Sequence, residues 1–213
     1  MNIILIAIIA LNIVISYKGF EDMYFFRKYE FHIGSIQRGE QIRMFSSAFL
    51  HADWMHLAFN MFTLYMFAPI VIGFSDSFTF LLIYVVSLVL GNLLTLVLHK
   101  DEYNYRAIGA SGAVMGIVYS AILFEPGMSL YLFFIPIPIP AYIFGIGYLL
   151  YSIYGMKAKR DNIGHTAHFG GAIGGYLITL IKNPQMFTDD TLIVILLAIP
   201  ILILFVMDRM GKI

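Results

Sequence analysis

The sequence predicts an all-α membrane protein built as one compact unit, and three observations carry that prediction. Of 213 residues, 60% are hydrophobic and only 12% are charged, whereas a soluble domain runs at roughly half apolar and about a quarter charged. Mean hydropathy is +0.84. The apolar residues are gathered into seven segments, most of them near the length that crosses a bilayer. Net charge is +0, which argues against a nucleic-acid partner, and cysteine is absent, which removes disulfide and thiolate–metal chemistry.

The segments run from Asn2–Tyr17, Trp54–Phe74, Phe78–Leu98, Ala110–Phe124 and Pro140–Tyr154 to Ala167–Ile181 and Leu192–Met207. The first resembles a signal peptide in hydrophobicity. No basic cluster precedes Ile3–Ser16 and no small-x-small site follows at Tyr17–Phe20, so it reads as a retained helix. The next stretch, Lys18–Asp53, interleaves Phe20, Tyr24, Phe25, Phe26, Tyr29 and Phe31 with Arg27, Lys28, Arg38 and Arg43. That mixture predicts a long membrane-associated loop folded partly into the headgroup region, where aromatic rings are favoured. Pro69 and Pro200 fall inside spans and predict kinks. Pro136, Pro138 and Pro140 alternate and so cannot be helix interior; they break the chain before the fifth span, with Pro140 suited to its first helical position. The fourth and sixth spans are short, about 15 residues or ~22 Å at 1.5 Å per residue. A helix that starts below the membrane surface leaves its first N–H groups open, and such ends line cavities.

Those two short spans begin with the residues that can do chemistry. Polar groups at membrane depth are costly and each invites a functional reading. Ser111 stands in Gly109-Ala110-Ser111-Gly112, where the helix dipole and open N–H groups favour a developing negative charge. The bland alternative is an N-cap serine. His168 stands in His165-Thr166-Ala167-His168-Phe169-Gly170-Gly171 and could serve as general base to a hydroxyl, or be a histidine hydrogen-bonded between helices. Glycines at four-residue spacing, Gly112 with Gly116 and Gly171 with Gly175, let two helices approach closely enough for the pair to meet. His56 and Asn60 share a face of the second span and can supply oxyanion donors, or a polar interhelical contact. His165, one turn from His168, is expected to be solvated or structural. His51 and Trp54 read as loop and interface residues, and Asn92 as a packing hydrogen bond.

Taken together these pieces resemble the rhomboid family of intramembrane serine proteases. The likeness is carried by RMFSSAFLHADWMHLAFN from Arg43 to Asn60, GASG at 109–112 and AHFGGAIGG at 167–175, in the family's order. The resemblance implies a six-transmembrane-helix core over residues 1–182 and an additional C-terminal transmembrane helix in 183–213. It implies a Ser111 nucleophile, a His168 base, and an oxyanion site of His56, Asn60 and the Ser111 amide. It also implies that the fifth helix and the Tyr154–Gly164 loop gate entry, that the substrates are transmembrane segments of other membrane proteins, and that no metal or cofactor is needed. Water would reach Ser111 through a polar cavity lined by His56, Asn60 and His168. The lipid bilayer of a bacterial cell membrane is the implied setting. Two departures stand out: Ile42-Arg43 replaces a Trp-Arg pair, and Met115 replaces the aromatic residue four positions after the serine. By helix parity Lys182 lies opposite every other Lys and Arg, so the positive-inside rule and the family's outward-facing site disagree. The family orientation is the one expected here. The rival readings are a catalytically silent relative that binds membrane helices, and a small transporter built on broken helices.

Overall fold

The computed structural model describes residues 2–131, 137–158 and 163–212. Its helices are α1 (Ile3–Glu21), α2 (Met23–Tyr29), α3 (Ile33–Gln37), α4 (Arg43–Ser46), α5 (Trp54–Phe74), α6 (Ser77–Leu98), α7 (Ser111–Phe124), α8 (Ala141–Ala158), α9 (His165–Lys182), α10 (Met186–Asp189) and α11 (Thr191–Arg209). Among the described residues α1, α5, α6 and α11 are long and apolar enough to cross a membrane, and α7 is a shorter apolar helix. Among the described residues the protein is all-α but for two ladders of two residues per strand.

Helix starts follow side-chain chemistry. Asn2, Asp53 and Asp76 cap α1, α5 and α6 by accepting first-turn backbone N–H groups. α1 runs four residues past the predicted Tyr17, through Lys18, Gly19, Phe20 and Glu21. The Lys18–Asp22 pair at 3.0 Å supports that extra turn, and Asp22 then caps α2. α5 and α11 continue through Pro69 and Pro200 without a break. Ile139–Pro140 pairs with Ser129–Leu130 and α8 begins at Ala141, so the break stands before α8, but Pro140 lies in the ladder rather than at the first helical position; Pro136 lies outside the described residues.

α7 is the axle of the fold, buried at every residue from Gly112 to Phe124. α6 and α9 pack on it through glycine. A Cβ on Gly171 would overlap the Gly112 carbonyl, one on Gly175 the Gly116 carbonyl, and one on Gly170 the Leu90 carbonyl. Backbone therefore lies against backbone, as small-xxx-small faces allow. Hydroxyl pairs reinforce these seams: Ser120 Oγ to Thr179 Oγ1 at 2.6 Å and Thr95 Oγ1 to Thr166 Oγ1 at 2.9 Å. α8 is held differently, by side chains: Tyr119 Oη donates to the Gly145 carbonyl at 3.1 Å, and Gly155 sits under the His165 ring. α11 leans on this side, with Tyr176 Oη donating to the Val194 carbonyl at 3.0 Å.

The stretch between α1 and α5 is folded rather than loose. Phe31, Ile33, Ile36 and Met44 form a small core of their own. Arg43 is buried among them, its guanidinium donating to the Arg27 and Glu30 carbonyls at 2.8 and 2.9 Å and to Glu40 at 2.7 Å. Buried Glu30 pairs with Arg27 and Arg106. Asn92 of α6 donates to the Met44 carbonyl at 2.7 Å, which makes it the packing hydrogen bond expected. Two antiparallel pairings, Phe31 with Ala107 and His32 with Arg106, tie this unit to the chain entering α7.

Candidate active site

The chain just before Ser111 turns it into place. Gly109 has φ +113°, a left-handed conformation that suits glycine. Its N–H donates to the Ser47 carbonyl at 3.0 Å, so the folded first loop holds the turn. Ala110 precedes the helix and has no side chain able to cap it. The first-turn N–H groups of α7 thus lack a side-chain cap, and Ser111 is the first helical residue rather than the N-cap. Its hydroxyl is turned to another partner: His168 Nε2 lies 2.7 Å from Ser111 Oγ. His168 is buried in the first turn of α9, and Ser111 is half-buried.

The other ring nitrogen of His168 is engaged as well. Tyr148 Oη lies 2.8 Å from Nδ1, and the two rings meet at a tilt of 39° with centroids 5.6 Å apart. Tyr148 is on α8 and did not emerge from the sequence. Nothing marks one tyrosine among Tyr142, Tyr148, Tyr151 and Tyr154 in an aromatic helix; only tertiary contact singles it out.

His56 stands in the first turn of α5. The Ala52 N–H points at its Nδ1 from 3.4 Å, which leaves Nε2 to carry the ring hydrogen. That Nε2 edge packs on Gly109: a Cβ there would lie 2.8 Å from His56 Nε2 and 3.8 Å from Ser111 Oγ. Asn60 is buried one turn further on, and one of its amide N–H groups donates to the His56 carbonyl at 3.0 Å. The structure therefore brings Ser111, His168 and His56 together and turns part of Asn60 back onto its own helix.

Two further histidines are buried. His51 does lie in the loop before α5, but it is fully buried rather than at an interface. Its Nδ1 meets Ser16 Oγ at 2.8 Å, Ser16 donates onward to the Phe49 carbonyl at 2.9 Å, and the Ala110 N–H approaches Nε2 at 3.4 Å. In this chain of bonds Nδ1 donates and Nε2 accepts, so the ring is neutral. Burial, with His56 beside it, pushes the pKa of His51 down to about 3. His165 is likewise buried, which agrees with the structural one of its two expected roles, and packs edge-on against Tyr151 and His168. Trp54 does sit at the surface, 58% exposed against Phe20 and Tyr17.

A cavity lies beside His165. It has a volume of about 160 Å³ and is lined by His99, Glu102, Tyr105, His165 and Thr166 with apolar neighbours. Among the described residues no three His, Asp or Glu side chains group as metal ligands.

Fold and site together define a helical membrane protein with a serine–histidine contact at the uncapped mouth of a short, buried helix. The Rhomboid domain family model matches residues 38–185. The chain belongs to the rhomboid family. Its relatives include YdcA of Bacillus subtilis (strain 168), a protein named for that family, at 31% identity over 68% of this chain and 69% of the relative. RHOMBOID-like protein 12, mitochondrial, of Arabidopsis thaliana is 28% identical over 76% of this chain and 52% of the relative. The mitochondrial presenilin-associated rhomboid-like protein of Homo sapiens is 28% identical over 62% of this chain and 35% of the relative. The chain thus spans about half the length of the Arabidopsis relative and about a third of the human one.

Proposed function

We propose that this protein is an intramembrane serine endopeptidase that cleaves transmembrane segments of other membrane proteins. The single observation that carries the reading is the 2.7 Å contact between Ser111 Oγ and His168 Nε2. That is hydrogen-bond reach for a hydroxyl and its base. Membership of the rhomboid family and the protease name of YdcA support it at the level of the family. The proposed core is six transmembrane helices over residues 1–182, α1 and α5 to α9, with α11 an addition to it.

In the proposed reaction Ser111 Oγ attacks the scissile carbonyl while its proton passes to His168 Nε2. The carbonyl oxygen becomes an oxyanion at the mouth of α7. The Ser111 N–H, the His56 Nε2–H and the second amide N–H of Asn60 are the proposed donors to it, each worth about 2.7–4 kcal/mol of barrier when lost. Collapse breaks the C–N bond, and the leaving nitrogen takes the proton from His168. Water then attacks the acyl-enzyme with His168 again as base, restoring the Ser111 hydroxyl and releasing the second product. The uncapped helix start favours this use: a silent helix-binding relative needs neither a serine turned away from capping nor an imidazole fixed against it.

The test is cleavage of a reporter transmembrane segment by the full chain in liposomes. Ser111→Ala and His168→Ala are each expected to abolish cleavage with helix content unchanged. A serine-directed fluorophosphonate should label the parent protein and not Ser111→Ala. Cleavage by either variant at the parent rate removes the reading.

A further inference from the structure

We propose that Tyr148 is a positioning residue that holds His168 in the tautomer its chemistry requires. The inference rests on the protease reading above and adds to it a part carried by a helix that bears neither member of the pair. For Nε2 to accept the Ser111 proton it must be bare, so the ring hydrogen belongs on Nδ1. Tyr148 Oη, 2.8 Å from Nδ1, is the acceptor that keeps it there. The phenol is itself aimed: Phe144, one turn back on α8, stacks on its ring with centroids 6.0 Å apart and planes 25° from parallel. The tilted Tyr148–His168 ring contact limits rotation of the imidazole about its own axis.

A serine–histidine–aspartate triad gives this task to a carboxylate, which both fixes the tautomer and stabilises the imidazolium. A phenol fixes the tautomer and, being neutral, stabilises the imidazolium less. The opposite arrangement, with the phenol donating to a bare Nδ1, would put the hydrogen on Nε2 and disable the base. The two arrangements predict opposite consequences for removing the hydroxyl.

Tyr148→Phe in the full chain keeps the ring and removes one oxygen. Partners that orient a functional histidine typically contribute 10–100-fold, so kcat on the reporter segment should fall by about that factor while KM moves less than about twofold. ¹⁵N-histidine spectra of the resting protein should show His168, assigned by its loss in His168→Ala, passing from the Nδ1–H form in the parent toward the Nε2–H form in Tyr148→Phe. An unchanged or raised kcat in a protein that cleaves overturns the proposal. So does a fall in kcat with an unmoved tautomer signal, or a parent protein whose His168 already carries its hydrogen on Nε2. The spectra need no substrate. They therefore decide on Tyr148 even if no reporter is cut and the protease reading itself falls.

Discussion

At the scale of single residues, partner geometry decides what each histidine can do. His51 and His56 lie five positions apart with ring centroids 4.9 Å from each other, yet they are wired in opposite senses. His51 accepts the Ala110 N–H at Nε2, whereas His56 accepts at Nδ1 and presents Nε2–H. The neutral state of His51 sets a pH window for stability. Its pKa is lowered from 6.5 to about 3, so between those values the unfolded chain takes up a proton that the folded one refuses. The stability it contributes is whole above pH 6.5 and is lost progressively as pH falls toward 3. Thermal unfolding across that range should show the midpoint dropping, and His51→Gln should flatten the slope. Ser111 and His168 were legible in the sequence because glycine and a hydroxyl are conspicuous at helix mouths. His51 was not: a histidine in a polar loop looks solvated until Ser16, Phe49 and Ala110 close around it.

At the scale of elements, the helices were legible and their couplings only in part. The start of α5 follows from its Asp53 cap, the extents of α5 and α7 follow from their apolar runs, and the glycine spacing in α7 and α9 pointed to close approach. That α6 joins the same seam, through Leu90 and Gly91, carried no signal beyond one glycine in an apolar helix. The two-residue ladder between Phe31–His32 and Arg106–Ala107 is too short for any alternation pattern to reveal. Gly171→Ala tests the seam. Its Cβ would overlap the Gly112 carbonyl, a backbone atom that cannot rotate aside, so α7 and α9 must part. Overpacking of this kind costs about 1–3 kcal/mol, and fluorophosphonate labelling of Ser111 should fall more than about tenfold. Gly73→Ala is the control: nothing lies within 4 Å of its added carbon, and alanine favours helix, so stability should hold or rise.

At the scale of the whole molecule, the site depends on a unit that contributes none of its reacting atoms. The folded segment between α1 and α5 reaches the mouth of α7 through the Ser47 carbonyl and the β-ladder, and Arg43 holds that segment together. Arg43→Ala strands the Arg27 and Glu30 carbonyls and removes the Glu40 partner. Stability is expected to drop by about 3 kcal/mol, with cleavage reduced although Arg43 is remote from Ser111 in sequence. A lower midpoint of thermal unfolding together with slower cleavage checks this; a variant that matches the parent on both refutes it. The interleaved charges and rings indicated that this stretch would fold, but not that a guanidinium would be its centre, because burying Arg43 needs three acceptors brought from different turns.

The glycine seam also bears on how the protein meets bilayers of different thickness. Spans that do not match the hydrocarbon depth tilt. Three rods with no compressible layer of side chains between them must tilt as a single body, carrying hydroxyl and imidazole along unchanged. α8 meets that body through side chains, Leu149 and Ile153 in the core with tyrosine tips and a histidine ring, so it is the rod freer to lag. Acyl-chain length in the surrounding lipid should therefore be felt first at the Tyr148 phenol, and only through it at the imidazole.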